Sequence, residues 1–395
     1  MGDMADPETN LTEPRRPVST FELFFDLVFV FSLTRVTDLI LGEPNAGGVL
    51  RGMLVLALLW WAWGAYAWLT NAVDTDSAAA RGVVLAAMGA MMVVAVAVPL
   101  SSGKNALPFA LAYFVVRVLH LVLFAVAGGA NRAAILRLAP GNLAASILLI
   151  IGVWVPTQIQ VVLWCLAVVI DYGTPIITGV GGFTVHAGHF FERHSLFMII
   201  ALGESVVSVG AAVLRGDRVQ ITPLLATTIL LGVAAIGGLW WAYFDWEAAL
   251  SERQLARAIG AERAHLARDM FSYLHLPLVA GVVFIAVGLE AVVSHPHEHL
   301  HGVFAFGLGG GAALFMFGLS AISGRRGHRP RLDHLVAGLL CLCLIPLSLF
   351  VQSLVTLVLL VVILLVIAYI DRHHGRTGYQ PRVRSAAQQA VSADA

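Results

Sequence analysis

The sequence predicts an all-α, polytopic integral membrane protein with about twelve transmembrane helices in two similar six-helix halves. Three observations predict it. Of 395 residues, 59% are hydrophobic and only 12% are charged, and mean hydropathy is +0.85. A soluble globule of this size cannot hide that much apolar surface, so lipid must cover part of it. Apolar runs of about 20 residues, the length that spans a bilayer core, recur along the chain. The basic residues alternate between the gaps those runs leave.

On this ruler the spans fall at 20–41, 48–70, 81–100, 106–127, 142–157, 158–179, 195–214, 222–245, 269–293, 300–322, 332–351 and 353–371. The fifth is short and closes on Pro156. The last two form a tight hairpin at Gln352-Ser353. Of the 24 basic residues, Arg35 and Arg117 fall inside spans and Arg51, Lys104, Arg215 and Arg218 in outer segments, which leaves eighteen inside. That asymmetry places both termini in the cytoplasm. The domain organisation follows: a cytoplasmic tail over 1–19, a first half over 20–179, a cytoplasmic linker over 180–194, a second half over 195–371 and a disordered cytoplasmic tail over 372–395. No apolar stretch with a cleavage site opens the chain, so no signal peptide is expected.

The halves echo one another. Trp60-Trp61-Ala62-Trp63 in span 2 returns as Trp240-Trp241-Ala242-Tyr243 in span 8, and Asp26 in span 1 is echoed by Glu204 in span 7. Six spans per half is an even number, so the expected repeat is parallel. Segment 246–268 spaces Leu250, Leu255, Ile259 and Leu266 among charges, as an amphipathic helix on the cytoplasmic surface would.

Composition also excludes some roles. Net charge is zero, and no basic excess points to nucleic acid. Cys165, Cys341 and Cys343 sit in apolar runs and read as small hydrophobes. No phosphate-binding loop, dinucleotide fingerprint or nucleophile elbow occurs in a soluble context. Gly307–Gly311 falls inside a span and reads as helix-packing material.

Ionisable groups at bilayer depth are costly, so they are the first candidates for function. Asp26 shares a helical face with Glu22, four residues earlier. It is either a proton or cation site or an acid that fixes packing. Arg117 sits mid-span with no acid within a turn, so its partner comes from Asp26, Asp171, Glu204 or a ligand anion. His120, one turn on, either joins a proton relay or packs. Glu204 lies among small residues at 201, 203, 205, 208 and 210 that permit close helix approach. Asp171 precedes Gly173 and Pro175, which break helices when they line a path. Asp26, Glu204, Arg117 and Asp171 are therefore the transport or ion-binding candidates. Arg35 with Asp38, and Glu192 with Arg193, are expected as structural ion pairs. Glu290 and His275 lie near span ends and carry no expectation.

His186, His189, Glu192 and His194 form an inner cluster, and His295, His297, His299 and His301 an outer one. They lie on opposite sides, so no shared metal site, and no cofactor, is expected.

The run Phe21-Glu22-Leu23-Phe24-Phe25-Asp26-Leu27-Val28-Phe29-Val30 resembles the opening signature of the low temperature requirement protein A family. So do Glu192-Arg193-His194-Ser195-Leu196-Phe197 and Ile199-Ile200-Ala201-Leu202-Gly203-Glu204-Ser205. The resemblance covers 16–371. It implies a bacterial inner-membrane protein linked by name to growth in the cold, and it singles out Asp26, Glu192, Arg193 and Glu204. Span 10 has no arginine to match Arg117, which departs from a symmetric site. The leading expectation is a secondary transporter or permease for a proton, cation or small solute. The alternatives are a membrane-embedded enzyme or lipid-handling protein using the inner His/Glu cluster, or a non-catalytic scaffold or sensor. The expected partners are the lipid bilayer and a small ion or solute.

Overall fold

The computed structural model describes residues 17–73, 77–214, 221–326 and 330–378, and among them the regular structure is helical throughout. The predicted N-terminal tail, all but residues 17–19, and the C-terminal tail beyond Gly378 lie outside the described residues. So do Arg215 and Arg218.

In chain order, the first half contributes α1 (Thr20–Gly42), α2 (Ala46–Ala72), α3 (Ala78–Ala97), α4 (Leu107–Ala127), α5 (Arg132–Gly152) and α6 (Thr157–Ile177). The rest contributes α7 (Ala187–Leu214), α8 (Pro223–Ala242), α9 (Ala248–Arg257), α10 (Gly260–Leu266), α11 (His275–Ser294), α12 (Gly302–Ala305), α13 (Gly311–Arg325), α14 (Leu332–Leu347) and α15 (Ser353–Gly378). Short polar side chains start several of them. Asn45 accepts from Gly47 and Gly48 N–H, Ser77 from Ala80 and Thr222 from Leu225. Ser19 and Glu22 form a reciprocal capping box on α1.

Among the described residues, ten helices are long and apolar enough to cross a membrane. The predicted first and eleventh spans are present as helices but are not among the ten. α1 carries Glu22, Asp26, Arg35 and Asp38, and α14 has only 16 residues. The fifth helix differs from its predicted span of 142–157. It begins near Gly129 and runs through Pro140 to Gly152. Arg132 and Arg137, which precede the predicted span, look like loop residues in sequence. In the helix Arg132 stays exposed and Arg137 reaches the Gly181 carbonyl, while Asn142, at the edge of the predicted span, accepts from Arg117.

Segment 246–268 is not one surface helix. It divides into α9 and α10, which continue α8 and lead into α11 through π-helical turns at Tyr243–Glu247 and Ala267–Tyr273. Leu255 and Leu266 are buried against protein, while Ile259 is 74% exposed. The helix predicted to end at 371 continues to Gly378.

Neighbour relations are orderly. In the first half α3 packs on α4, α4 on α5, α5 on α6, and α1 on both α2 and α3, while α2 touches α6. Farther on, α11 packs on α13, α13 on α14, α14 on α15, and α7 on both α8 and α11, while α8 touches α15. Glycines set the closest approach. A Cβ on Gly288 would lie 2.4 Å from Leu308 N, and one on Gly281 would lie 2.6 Å from the Gly311 carbonyl oxygen. Only hydrogen fits there, so α11 meets α13 and the π-helical turn before it (Phe306–Gly310) backbone to backbone.

Candidate functional site

α1 and α7 are in contact. Four titratable side chains meet where they touch. On α1, Glu22 and Asp26 are four residues apart and share a face. On α7, His189 and Arg193 have the same spacing. Each pair therefore presents two groups to the other helix. Arg193 Nη1 donates to Glu22 Oε1 at 2.9 Å, and Arg193 Nη2 donates to Asp26 Oδ1 at 2.9 Å. His189 Nε2 lies 3.2 Å from Glu22 Oε2. All four side chains are buried.

α2 completes the shell. Trp63 Nε1 donates to Asp26 Oδ1 at 2.8 Å, and Thr70 Oγ1 accepts from Arg193 Nη1 at 2.6 Å. Asn71 fixes the His189 tautomer. Its Oδ1 accepts from the His186 backbone N–H, so its amide nitrogen must face the other way. That nitrogen donates to the His186 carbonyl and lies 3.3 Å from His189 Nδ1. Nδ1 is then the acceptor, and the ring proton sits on Nε2, donating to Glu22.

This geometry leaves a charge imbalance. With both acids ionised and His189 neutral, two negative charges face one guanidinium. Asp26 Oδ2 is buried without a hydrogen-bond partner. The oxygen that could take a proton is thus the one that nothing else holds.

The other candidates lie elsewhere. Glu204 is half-buried and accepts from Thr34 Oγ1 at 2.5 Å. Thr34 is eight residues beyond Asp26, about 12 Å along α1, so Asp26 and Glu204 do not share one partner. Of the small residues around Glu204, Ala201, Ser205 and Ser208 are buried, whereas Gly203 and Gly210 face open space. Arg35 pairs with Asp38 at 2.8 Å along α1.

Arg117 pairs with Asp171 at 3.0 Å, and the same Nη2 donates to Asn142 Oδ1 at 2.6 Å. Tyr113 OH lies 3.3 Å from Asp171 Oδ2. α6 is unbroken through Gly173 and Pro175, and Thr174 Oγ1 donates to the Ile170 carbonyl. Proline here leaves the helix continuous, contrary to the expected break.

Glu192 does not pair with Arg193. Adjacent helical residues point in different directions, and Glu192 Oε2 instead accepts from Val18 N–H at 3.3 Å. Nor do the inner histidines converge. His194 Nδ1 bonds the Phe190 carbonyl while its ring packs on Trp63, and His189 serves Glu22. Among the described residues, no group of three or more His, Cys, Asp or Glu side chains is arranged to hold a metal ion.

The glutamate and aspartate of α1 and the arginine of α7 sit within the two signature segments of the sequence. The family model of the bacterial low temperature requirement A protein matches residues 17–369, almost the whole described chain. The chain belongs to that family. A curated relative, "Uncharacterized protein RA0937" of Rhizobium meliloti (strain 1021), is 30% identical over 313 residues, which is 75% of this chain and 75% of the relative. No solved structure matches significantly. Family membership and the ten apolar helices make this low temperature requirement A protein a multi-pass membrane protein.

Proposed function

We propose that this family member is a proton-linked permease of the bacterial inner membrane, with twelve spans, two six-helix halves and both termini cytoplasmic. The direction of α1 supports the count. Asp26 meets Arg193, and farther along both helices Thr34 meets Glu204. α1 and α7 therefore run parallel, which fits an even number of crossings from α1 to α6, six in this reading. The level of α14 supports the rest. Arg331 and His334, at its start, meet Asp371 near the end of α15. Beyond its other end, Ser348 meets the Leu300 carbonyl and Ser353 the Glu298 carbonyl. α14 with its following turn thus runs alongside α15 from Asp371 to Ser353, which supports reading it as a span. The neighbour order of α1–α6 recurs in α7, α8, α11, α13, α14 and α15, as a parallel repeat requires.

The two tryptophan segments are not in equivalent settings. Trp60 and Trp63 are buried, while Trp240 and Trp241 are partly exposed. The repeat is one of helix arrangement, and the charge centre belongs to the contact between halves.

One observation carries the reading: a buried cluster of two carboxylates and one guanidinium, spanning the two halves, with an unpartnered oxygen on Asp26. A proton on Oδ2 balances the charge and weakens the hold of Arg193 on α1. Loss of that proton restores it. Because α1 and α7 open the two halves, proton exchange at Asp26 biases how the halves sit together. Glu204 with Thr34 lies farther along the same helix contact and extends the polar path. Arg117 and Asp171 form a second buried pair beside it.

The test is proton movement in proteoliposomes under an imposed pH gradient with a potassium clamp, for wild type and Asp26→Asn. Asparagine mimics the protonated acid and leaves the cluster neutral, so this variant folds yet cannot exchange the proton. Gradient-driven proton movement in wild type and at least tenfold less in Asp26→Asn supports the permease. Equal movement in both, or none in wild type, leaves the cluster as a brace between α1 and α7.

A further inference from the structure

Glu204 is only half covered by its own chain. It sits ten residues before the end of α7 at Leu214, about 15 Å along a helix that is apolar enough to cross a membrane. Thr34 Oγ1 donates to it, yet the residue stays half-buried, and Gly203 beside it faces open space. Lipid tails offer a carboxylate no hydrogen bond, so a charge exposed at this depth needs water or protein against it.

The surface around it is continuous. On α1, Phe24, Leu27 and Phe31 are exposed at helical spacing, and Arg35 and Asp38 continue the same stripe, each part-exposed. On α7, Ile199, Val206 and Val207 are exposed. At about 100° per residue, Thr34 falls at one edge of the α1 stripe and Glu204 at one edge of the α7 stripe. Their hydrogen bond joins those edges, so the two stripes form one face.

That face carries both signs. Arg35 follows Thr34 in the chain, so it lies at the depth of Glu204. It is turned about 100° around α1 from Thr34, away from the Glu204 of its own copy, and bonds Asp38 through Nη1. Copies inserted in the same orientation and related by a twofold axis along the membrane normal meet residue against residue at equal depth. Such an arrangement sets Arg35 of each copy against Glu204 of the other, so the face is complementary to itself.

We propose that the α1–α7 face binds a second copy of this chain, with α1 against α1 at the axis and Arg35 of each copy paired with Glu204 of the other. Each copy then covers the other's carboxylate in place of lipid. The proposal does not rest on proton coupling at Asp26, because association is read without a gradient.

The test is energy transfer between donor- and acceptor-labelled copies in liposomes, as the ratio of protein to lipid falls. Wild type should associate. Arg35→Glu and Glu204→Arg, each alone, set like charges opposite one another and should associate at least tenfold more weakly. Mixed together, the two variants should recover, because each mixed pair regains both opposite-charge contacts. A role within one chain gives no such recovery, since each copy keeps its own lesion. If either variant does not fold, Phe31→Cys decides, in a chain with Cys165, Cys341 and Cys343 replaced. Phe31 lies on the α1 stripe near the axis and should give a disulfide-linked dimer in oxidised membranes, whereas Val162→Cys, exposed on α6, should not. Wild type that stays monomeric at every ratio would overturn the proposal and assign the open side of Glu204 to water. Association that both single variants keep, or that mixing does not restore, would overturn it equally, as would equal cross-linking at Phe31→Cys and Val162→Cys.

Discussion

Asp26 and Arg193 are 167 residues apart in sequence and 2.9 Å apart in the fold. Asp26 lies on α1 and Arg193 on α7. The contact is buried, and the same arginine also holds Glu22. One guanidinium thus ties one face of α1 to α7 at two successive turns.

Removing that guanidinium strands two carboxylates. Breaking a buried ion pair from one side costs about 3–5 kcal/mol, so Arg193→Gln should melt well below wild type in detergent. Arg193→Gln combined with Asp26→Asn and Glu22→Gln should recover much of the loss, because no uncompensated charge remains. A thermal series over the single and triple variants checks this. A triple variant no more stable than the single one would mean that packing, not charge, is what Arg193 supplies.

The tautomer of His189 is a second consequence. Asn71 presents its amide nitrogen to Nδ1, so the proton should reside on Nε2. Nitrogen chemical shifts of ¹⁵N-histidine protein, assigned by difference from His189→Gln, should show one neutral ring protonated at Nε2. Asn71→Asp replaces the donor with an acceptor and should move a proton onto Nδ1. An unchanged spectrum in Asn71→Asp would remove Asn71 from the site.

The glycines give a contrast within one protein. A Cβ on Gly288 would lie 2.4 Å from Leu308 N, whereas one on Gly210 would meet nothing within 4 Å. Gly288→Ala should force α11 away from the π-helical turn Phe306–Gly310 that leads into α13 and cost about 1–3 kcal/mol, as overpacking does. Gly210→Ala should be neutral or stabilise by up to about 1 kcal/mol, since alanine is the better helix former. Melting temperatures of the two variants decide it.

How much of this could be read from the sequence depends on the kind of contact. Apolar length revealed the helices, because bilayer thickness acts on each run separately. The α5 start was hidden, because Arg132 stays exposed and Arg137 is made tolerable by the Gly181 carbonyl from another part of the chain. The acids of α1 were visible as buried charges, but their partner was not. Glu192 and Arg193 are neighbours in sequence, yet i and i+1 point apart on a helix. The informative pattern was the spacing of four on both sides: Glu22 with Asp26, and His189 with Arg193. The Ser19-x-x-Glu22 signature also marked the start of α1, and Glu22 serves both the cap and the cluster. Which base met which acid depended on parallel packing of α1 and α7, which no local pattern encodes.

That parallel packing makes the twelve-span topology testable by chemistry. Ser77 precedes α3 and Ser102 precedes α4, so the two positions bracket one span. Single cysteines at each, in a chain with Cys165, Cys341 and Cys343 replaced, should react with a membrane-impermeant maleimide from opposite sides. Ser102→Cys should label in intact spheroplasts and Ser77→Cys only after lysis. The decisive position is Pro17, before α1, read against Asn45 between α1 and α2. If α1 crosses the bilayer, Asn45→Cys labels with Ser102→Cys from outside and Pro17→Cys only after lysis, and the four charges of α1 lie within the membrane. If Pro17→Cys labels from outside together with Asn45→Cys, α1 does not cross. Glu22 and Asp26 would then meet Arg193 at a membrane surface, and the proton-linked reading would fall with the count.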